Sequence, residues 1–417
     1  MVRPRPLAGR QLVAAAAESV AVGRGGELLP TEAGPVDGRP LQVVRVDRAH
    51  VGGSRRRDKN TTGNRGLDIG SRRRAGVQRR DAAATVAGLG AGGAVLLVLV
   101  VVAGGDAVVG ALGRAAPALA AAVAATILGW LCLWGVGFRA VATATGADVG
   151  LVDAVLVTAG AAFADHVTPF GQAGGEPATA LLLSDVAGTP VERALAAVSS
   201  FDALNVPPSL TFAAVGVGYY AAVAALDATL RAVAAGLAVV AVAAPPLVAL
   251  AWRRREGLER ALVRAAAPPA RLAGRLLPRV DPPDRSAVAA RVGGFRGAVE
   301  SVAADRRRLA VALACSAAGW LSQVVGLWLA LRAVGVAVPL YVPLFVVPLG
   351  TVGSALPTPG GLGGIEPVQV GLLTAATTAT AASLTAAVLL FSVGGFLLTT
   401  SVGAAAVAAL GARGRVG

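Results

Sequence analysis

The chain has 417 residues, of which 55% are hydrophobic and 15% charged, with a mean hydropathy of +0.67. A soluble domain carries about 25% charged residues, so this composition excludes an ordinary soluble protein and fits a polytopic membrane protein. The net charge of +14 does not point to nucleic acid, because the Arg residues crowd into the N-terminal stretch and one central segment, without the aromatic rings a single-strand groove interleaves among them.

Residues 1–80 are rich in Arg, Gly and Pro, show no sustained periodicity, and end in the clusters Arg55-Arg56-Arg57, Arg72-Arg73-Arg74 and Arg79-Arg80. They are expected to be a disordered basic extension, either a cytoplasmic tail touching anionic lipid or the product of an overlong gene start. They lack the apolar core of a secretory signal. Six runs of about 20 apolar residues follow, each long enough to cross a bilayer. They lie near Ala84–Gly104, Pro117–Phe138, Ala194–Tyr220, Ala228–Trp252, Leu309–Leu331 and Leu384–Leu410. Cys132 and Cys315 each sit inside an apolar run and imply no disulfide framework.

Residues 253–308 carry Arg253-Arg254-Arg255 and Arg306-Arg307-Arg308 at their ends, and the positive-inside rule puts this segment in the cytoplasm. Counting crossings outward from it places both termini inside, including the tail 411–417 with Arg413 and Arg415, in a multi-pass protein of the cell membrane. Two apolar stretches remain, 150–187 and about 338–380, and each must start and finish on one side. They are expected to be re-entrant hairpins, because the arm 178–187 is too short for a comfortable crossing. The fold expected is therefore all-α: a polytopic helical bundle of about six full spans plus two re-entrant hairpins. Its membrane repeats are 81–252 and 309–410.

Each hairpin is interrupted by a polar decapeptide. TPFGQAGGEP, Thr168 to Pro177, aligns without a gap on TPGGLGGIEP, Thr358 to Pro367, at an offset of 190 residues. Thr-Pro and Glu-Pro recur at corresponding positions, and the two hairpins enter from opposite sides. Gly/Pro-interrupted segments in matching places are the pattern of an inverted-topology repeat around a central transporter site. A Glu-Pro step can begin a helix, since Pro has no N–H to leave unsatisfied at the first position. The N-termini of the arms after Pro177 and Pro367 would then favour phosphate, and Glu176 and Glu366 would accept from an amine, a proton or a cation. A charged group at mid-depth costs about 2.5–3.5 kcal/mol even on the mild insertion scale, so two at matching positions call for a role. The competing readings are that both Glu residues only cap their half-helices, or that both motifs are extramembrane turns.

The glycines Gly174, Gly175, Gly363 and Gly364 would let backbone approach a ligand, and Gln172 and Gln323 are possible polar contacts. Asp202, with Asn205 at the i, i+3 position, is expected to line the cavity; Pro207-Pro208 kinks the same helix. Asp165-His166 could relay protons, although a lone His at a hairpin tip is more often a hydrogen-bonded structural residue. No zinc spacing, P-loop or Ser/His/Asp set is present, so neither a metal, a cofactor nor an enzymatic activity is expected.

With these motifs, about Ala84 to Leu410 resembles the flippase-like membrane domain of the lysylphosphatidylglycerol synthetase family. PTPGGLGGIEP, Pro357 to Pro367, is similar to that family's late Pro-Gly-Gly-Gly-Glu signature, and GGEP, Gly174 to Pro177, to its early one. The resemblance implies half-helices lining a central cavity and movement of a polar lipid headgroup between leaflets, with Glu176, Glu366 and their glycines as the site. Many relatives carry a basic residue beside the acidic one after the early motif; here Asp202 has Ser199, Ser200, Phe201 and Ala203 around it. No aminoacyl-transferase domain is read after the last crossing, so lipid aminoacylation by this polypeptide is not expected, and the headgroup is not to be inferred from a fused enzyme.

The substrate expected is a membrane lipid: an anionic or aminoacylated phospholipid, or a polyprenyl-linked lipid. The alternatives are a non-transporting partner of a cytoplasmic glycosyl- or aminoacyl-transferase, or a cation-coupled solute transporter.

Overall fold

A computed structural model describes residues 85–168, 172–225, 227–254, 285–356 and 358–413. The basic N-terminal extension and most of the central basic segment lie outside the described residues. What is described is all-helical, with twelve α-helices and no strand among the described residues.

In chain order these are α1 Thr85–Ala103, α2 Gly105–Gly113, α3 Pro117–Ala144, α4 Leu151–Val167, α5 Gln172–Ala187 and α6 Val191–Val223. There follow α7 Ala228–Arg253, α8 Arg285–Ala304, α9 Arg306–Ala333, α10 Tyr341–Gly350, α11 Ile365–Ala376 and α12 Ala381–Arg413. Five helices, α1, α3, α6, α9 and α12, are long and apolar enough to cross a membrane. The sixth expected crossing falls on α7, which is helical for 26 residues, although the described apolar part is only Ala228–Val240. Large apolar side chains cover the outside, as at Val102, 81% exposed, so the surface suits lipid rather than water. The protein is a multi-pass membrane protein.

The 190-residue offset between the two motifs also relates whole helices. α3 and α9 both have 28 residues, and α6 and α12 both have 33. The short helices correspond as pairs: α4 and α5, of 17 and 16 residues, match α10 and α11, of 10 and 12. The second pair is shorter because Thr351–Ala355 and Pro359–Gly361 tighten into 3₁₀ turns. At about 1.5 Å per residue the longest of the four reaches only about 25 Å, short of a hydrocarbon core of about 30 Å.

The corresponding helices α3 and α9 run antiparallel along their full length. Ala116, just before α3, donates its N–H to Ala333 at the end of α9 at 3.0 Å. Ser322 Oγ donates to the Thr126 carbonyl at 2.7 Å, and Gly137 faces Ala312 and Cys315 at the other end. Small residues make this approach possible: a Cβ on Gly326 would press on Thr126, and one on Gly319 would overlap Trp134. The short helices cross over between the two segments. α4 packs on α12, where a Cβ on Gly403 would overlap the Ala159 carbonyl, and α10 packs on α6, where Gly216 lies against Phe345 and Tyr341.

Two further helices brace this arrangement. α8 packs on α6 and buries Ala298 and Val302, so the described end of the basic segment is a docked helix. α1 reaches both motifs: Thr85 Oγ1 donates to the Val167 carbonyl at 2.9 Å, while Gly88 and Gly92 lie against Pro359 and Leu362. Glycines four apart form a flat stripe that lets backbones meet.

Candidate functional site

The second polar motif reaches the helix that leads into the first: Gly360 lies against the ring of His166, at the end of α4 and two residues before Thr168. Beside this junction are two cavities of about 90 and about 150 Å³, with Trp130 of α3 in the walls of both. Trp130 and Trp320 are counterparts at the 190-residue offset, and with Trp134 they form an edge-on aromatic cluster where α3 crosses α9.

The first cavity is acidic with aromatic walls. Asp165 of α4, Glu176 of α5 and Asp202 of α6 line it, together with Trp134, Phe138 and Phe201. α4 and α5 come close because position 175 is glycine: a Cβ there would overlap the Asp165 carboxylate. Pro177 does not start the second arm, as the Glu-Pro step suggested; α5 begins five residues earlier, at Gln172. Pro177 then leaves the Ala173 carbonyl without an i→i+4 donor, and one turn is tied instead by Thr179 Oγ1 donating to the Gly175 carbonyl at 3.0 Å. Glu176 therefore sits within a helix wall and faces the cavity rather than capping an end. Pro169, Phe170 and Gly171 lie outside the described residues, as do the side chain of Gln172 and the surroundings of Gly174.

Glu366 is held differently. It is 1% exposed, its Oε2 accepts the Gly363 N–H at 2.7 Å, and its Oε1 accepts the Ser392 hydroxyl at 2.5 Å. It stands in the first turn of α11, which begins at Ile365, so Pro367 lies where no N–H bond is needed. The carboxylate thus ties down the turn just ahead of the helix, accepting from an amide that precedes the N-cap Gly364, and it also sits favourably in the first turn. The turn it holds is specific to glycine: Gly360, Gly361 and Gly363 have φ of 62°, 71° and 79°, and a Cβ on Gly363 would press into the Gly92 backbone of α1. Gly364 is enclosed equally, by the Gly353 carbonyl. Gly363→Ala should therefore destabilise the fold by at least about 1–2 kcal/mol from the left-handed backbone alone. A lowered thermal midpoint of the purified protein in detergent checks this, and an unchanged midpoint would contradict it.

Glu176 and Glu366 thus do not share one cavity; Glu366 lines the second, with His166, Gln323 and Gln369. His166 and Asp165 are adjacent but diverge into different cavities. His166 Nδ1 lies 2.7 Å from Thr400 Oγ1, and the ring stacks on Phe396 at 4.1 Å between centroids. Since Thr400 donates its own proton to the Phe396 carbonyl at 2.6 Å, it accepts from Nδ1–H, which assigns the tautomer. Asn205 lines neither cavity: its Oδ1 accepts from Ser316 at 2.6 Å and its carbonyl from Trp320 Nε1 at 3.1 Å, joining α6 to α9. The i, i+3 spacing put Asp202 and Asn205 on one face, but that face spans both the cavity and the helix contact.

Sequence reasoning passed over Trp130, Trp134, Gln369 and Ser392. The 190-residue offset contained a signal for Ser392, which is the counterpart of Asp202. Where the second segment has a Glu satisfied by a Ser, the first has Glu176 facing Asp202 and Asp165. Among the described residues no group of three or more His, Cys, Asp or Glu is arranged to hold a metal ion.

No curated protein and no solved structure matches the chain. Residues 86–403, which include both motifs, the residues lining both cavities and all or most of each described spanning helix, match the transmembrane region of lysylphosphatidylglycerol synthase, and the chain belongs to that family.

Proposed function

We propose that the protein is a lipid translocator, in which a polar headgroup passes between leaflets through the two cavities while its acyl chains stay in the bilayer. The observation that supports this reading best is the placement of two polar cavities at the junction of antiparallel, sequence-related helices, inside a bundle with an apolar outer surface. The helices 117–223 and 306–413 then form an inverted repeat, and the pairs α4–α5 and α10–α11 are re-entrant hairpins that meet at depth. Both termini and the basic segment lie in the cytoplasm, by the placement of Arg.

The acidic cavity, with three carboxylates and aromatic faces, favours a cationic part of the cargo such as a headgroup ammonium. The same lining suits a coupling cation, so a cation-coupled transporter is the second reading. Reconstituted into vesicles with a fluorescent short-chain aminophospholipid, the protein should move lipid between leaflets at least about tenfold faster than empty vesicles, a barrier change of about 1.4 kcal/mol. A rate equal to that of empty vesicles rejects the translocator.

The topology has its own test. In a background with Cys132 and Cys315 replaced, Gly174→Cys should react with impermeant thiol reagent from the cytoplasmic side and Val352→Cys, at an exposed position, from the outside. Labelling of both from the same side would refute the opposed hairpins.

A further inference from the structure

The second cavity holds a polar side chain with no assigned partner. Gln369, one turn after Glu366 on α11, is 2% exposed and lines the cavity, yet its Oε1 has no hydrogen-bond partner among the described residues. A buried amide oxygen left unpaired is costly, and natural proteins keep such groups where a ligand completes them. Space is made for it: a Cβ on Gly350 would come within 2.6 Å of Gln369 Cγ.

The rest of the lining shows what kind of group fits. The cavity has no Lys or Arg in its walls. Its one carboxylate, Glu366, already accepts from Gly363 and Ser392. The tautomer assigned to His166 leaves Nε2 as a lone-pair acceptor, and Thr399 sends its proton to the Gly395 carbonyl at 2.8 Å, keeping its lone pairs available. The cavity therefore presents neutral acceptors together with neutral donors: the Gln323 amide can do both, and Trp130 in the same wall has a buried Nε1–H with no hydrogen-bond partner among the described residues. Neutral acceptors beside neutral donors call for groups that both donate and accept, and those that come in sets on a small carbon frame are hydroxyls.

We propose that the second cavity is a hydroxyl-recognition site in which Gln369 selects a polyol headgroup, such as glyceryl or a sugar. The proposal rests on the translocator reading for its cargo but adds a specificity residue and a ligand class. The acidic cavity then handles positive charge and the Gln369 cavity handles hydroxyls, on opposite sides of Trp130.

The test uses two fluorescent lipids that share phosphate and chains: phosphatidylglycerol and phosphatidylpropanol, which lacks both headgroup hydroxyls. Wild-type protein in vesicles should move the glyceryl lipid at least about tenfold faster, because a site built to bond hydroxyls rejects an analogue without them. Gln369→Leu should remove that preference while leaving propyl transport within about twofold of wild type; Gln369→Met serves if the Leu variant does not fold. An unchanged ratio in a folded variant, or an equal loss for both lipids, overturns the proposal.

If wild-type protein moves the aminophospholipid but neither of these lipids, the hydroxyl site is overturned; if it moves none of the three, the translocator reading falls, and equilibrium binding of the same two lipids to the detergent-solubilised protein decides the site. Preference for the glyceryl lipid that Gln369→Leu abolishes keeps the site; equal binding of both lipids rejects it.

Discussion

Replacing Glu176 with Gln should cut lipid movement in vesicles by at least about tenfold while leaving the thermal midpoint of the purified protein unchanged, a loss of about 1.4 kcal/mol in the transport step alone. The substitution keeps size and shape and removes one of the three carboxyl groups that line the acidic cavity. Glu176 sits within the α5 helix, so its carboxylate caps no helix end, and nothing in the local fold requires its charge. Glu366→Gln should behave in the opposite way. The Gln carbonyl can accept the Gly363 N–H, and its amide can donate to Ser392, whose hydroxyl can turn to accept. A small stability loss of about 1 kcal/mol and a smaller transport defect are the expected results. Equal transport losses from the two Gln variants would restore a shared site and contradict the division between the cavities.

The largest stability effect is expected from Ser392→Asp. Ser392 is the counterpart of Asp202, so the change writes the first segment's residue into the second. There it removes the hydroxyl that satisfies Glu366 and places a second carboxylate against a group that is 1% exposed. An uncompensated buried charge costs about 3–5 kcal/mol, a large part of the stability of a typical domain. The reverse change, Asp202→Ser, removes one of three neighbouring carboxylates and should leave folding intact. Monodisperse yield after detergent extraction and the thermal midpoint read both variants; a Ser392→Asp protein as stable as wild type would show that Glu366 is less constrained than its contacts require.

The spanning helices and the paired motifs could be read from the sequence because each leaves a one-dimensional trace: long apolar runs, and Thr-Pro and Glu-Pro at one offset. The same trace extended to helix lengths, with α6 and α12 matching in register. Other features depend on three-dimensional contacts and left no such trace. Glu176 and Glu366 are identical in the alignment, yet Glu176 lines a cavity with two other carboxyl groups, whereas Glu366 is tied to Gly363 and Ser392 at the edge of another. Asn205 was expected to line the cavity beside Asp202, and its partnership with Ser316, 111 positions away, left no trace in the sequence. The start of α5 shifted from Pro177 to Gln172 because packing against α4 through Gly175 outweighs the local cost of an interior proline. Gln369 looked like one amide in an apolar helix, and only the cavity beside it gave it a role.

The crossing of short helices between the two segments also has a consequence for how the protein is made. α4, early in the chain, packs on α12, the last of the described helices and made more than 200 residues later, and Arg413 near the end of α12 bonds Asp153 at 2.6 Å. The first hairpin can therefore enter the membrane long before its final packing surface exists. During synthesis, α4 and its Asp165 must wait in a provisional setting, in lipid or beside insertion machinery, until more than half of the chain has followed. A ribosome that stalls before α12 would release a chain whose earliest hairpin, not its latest helix, is the exposed and vulnerable part.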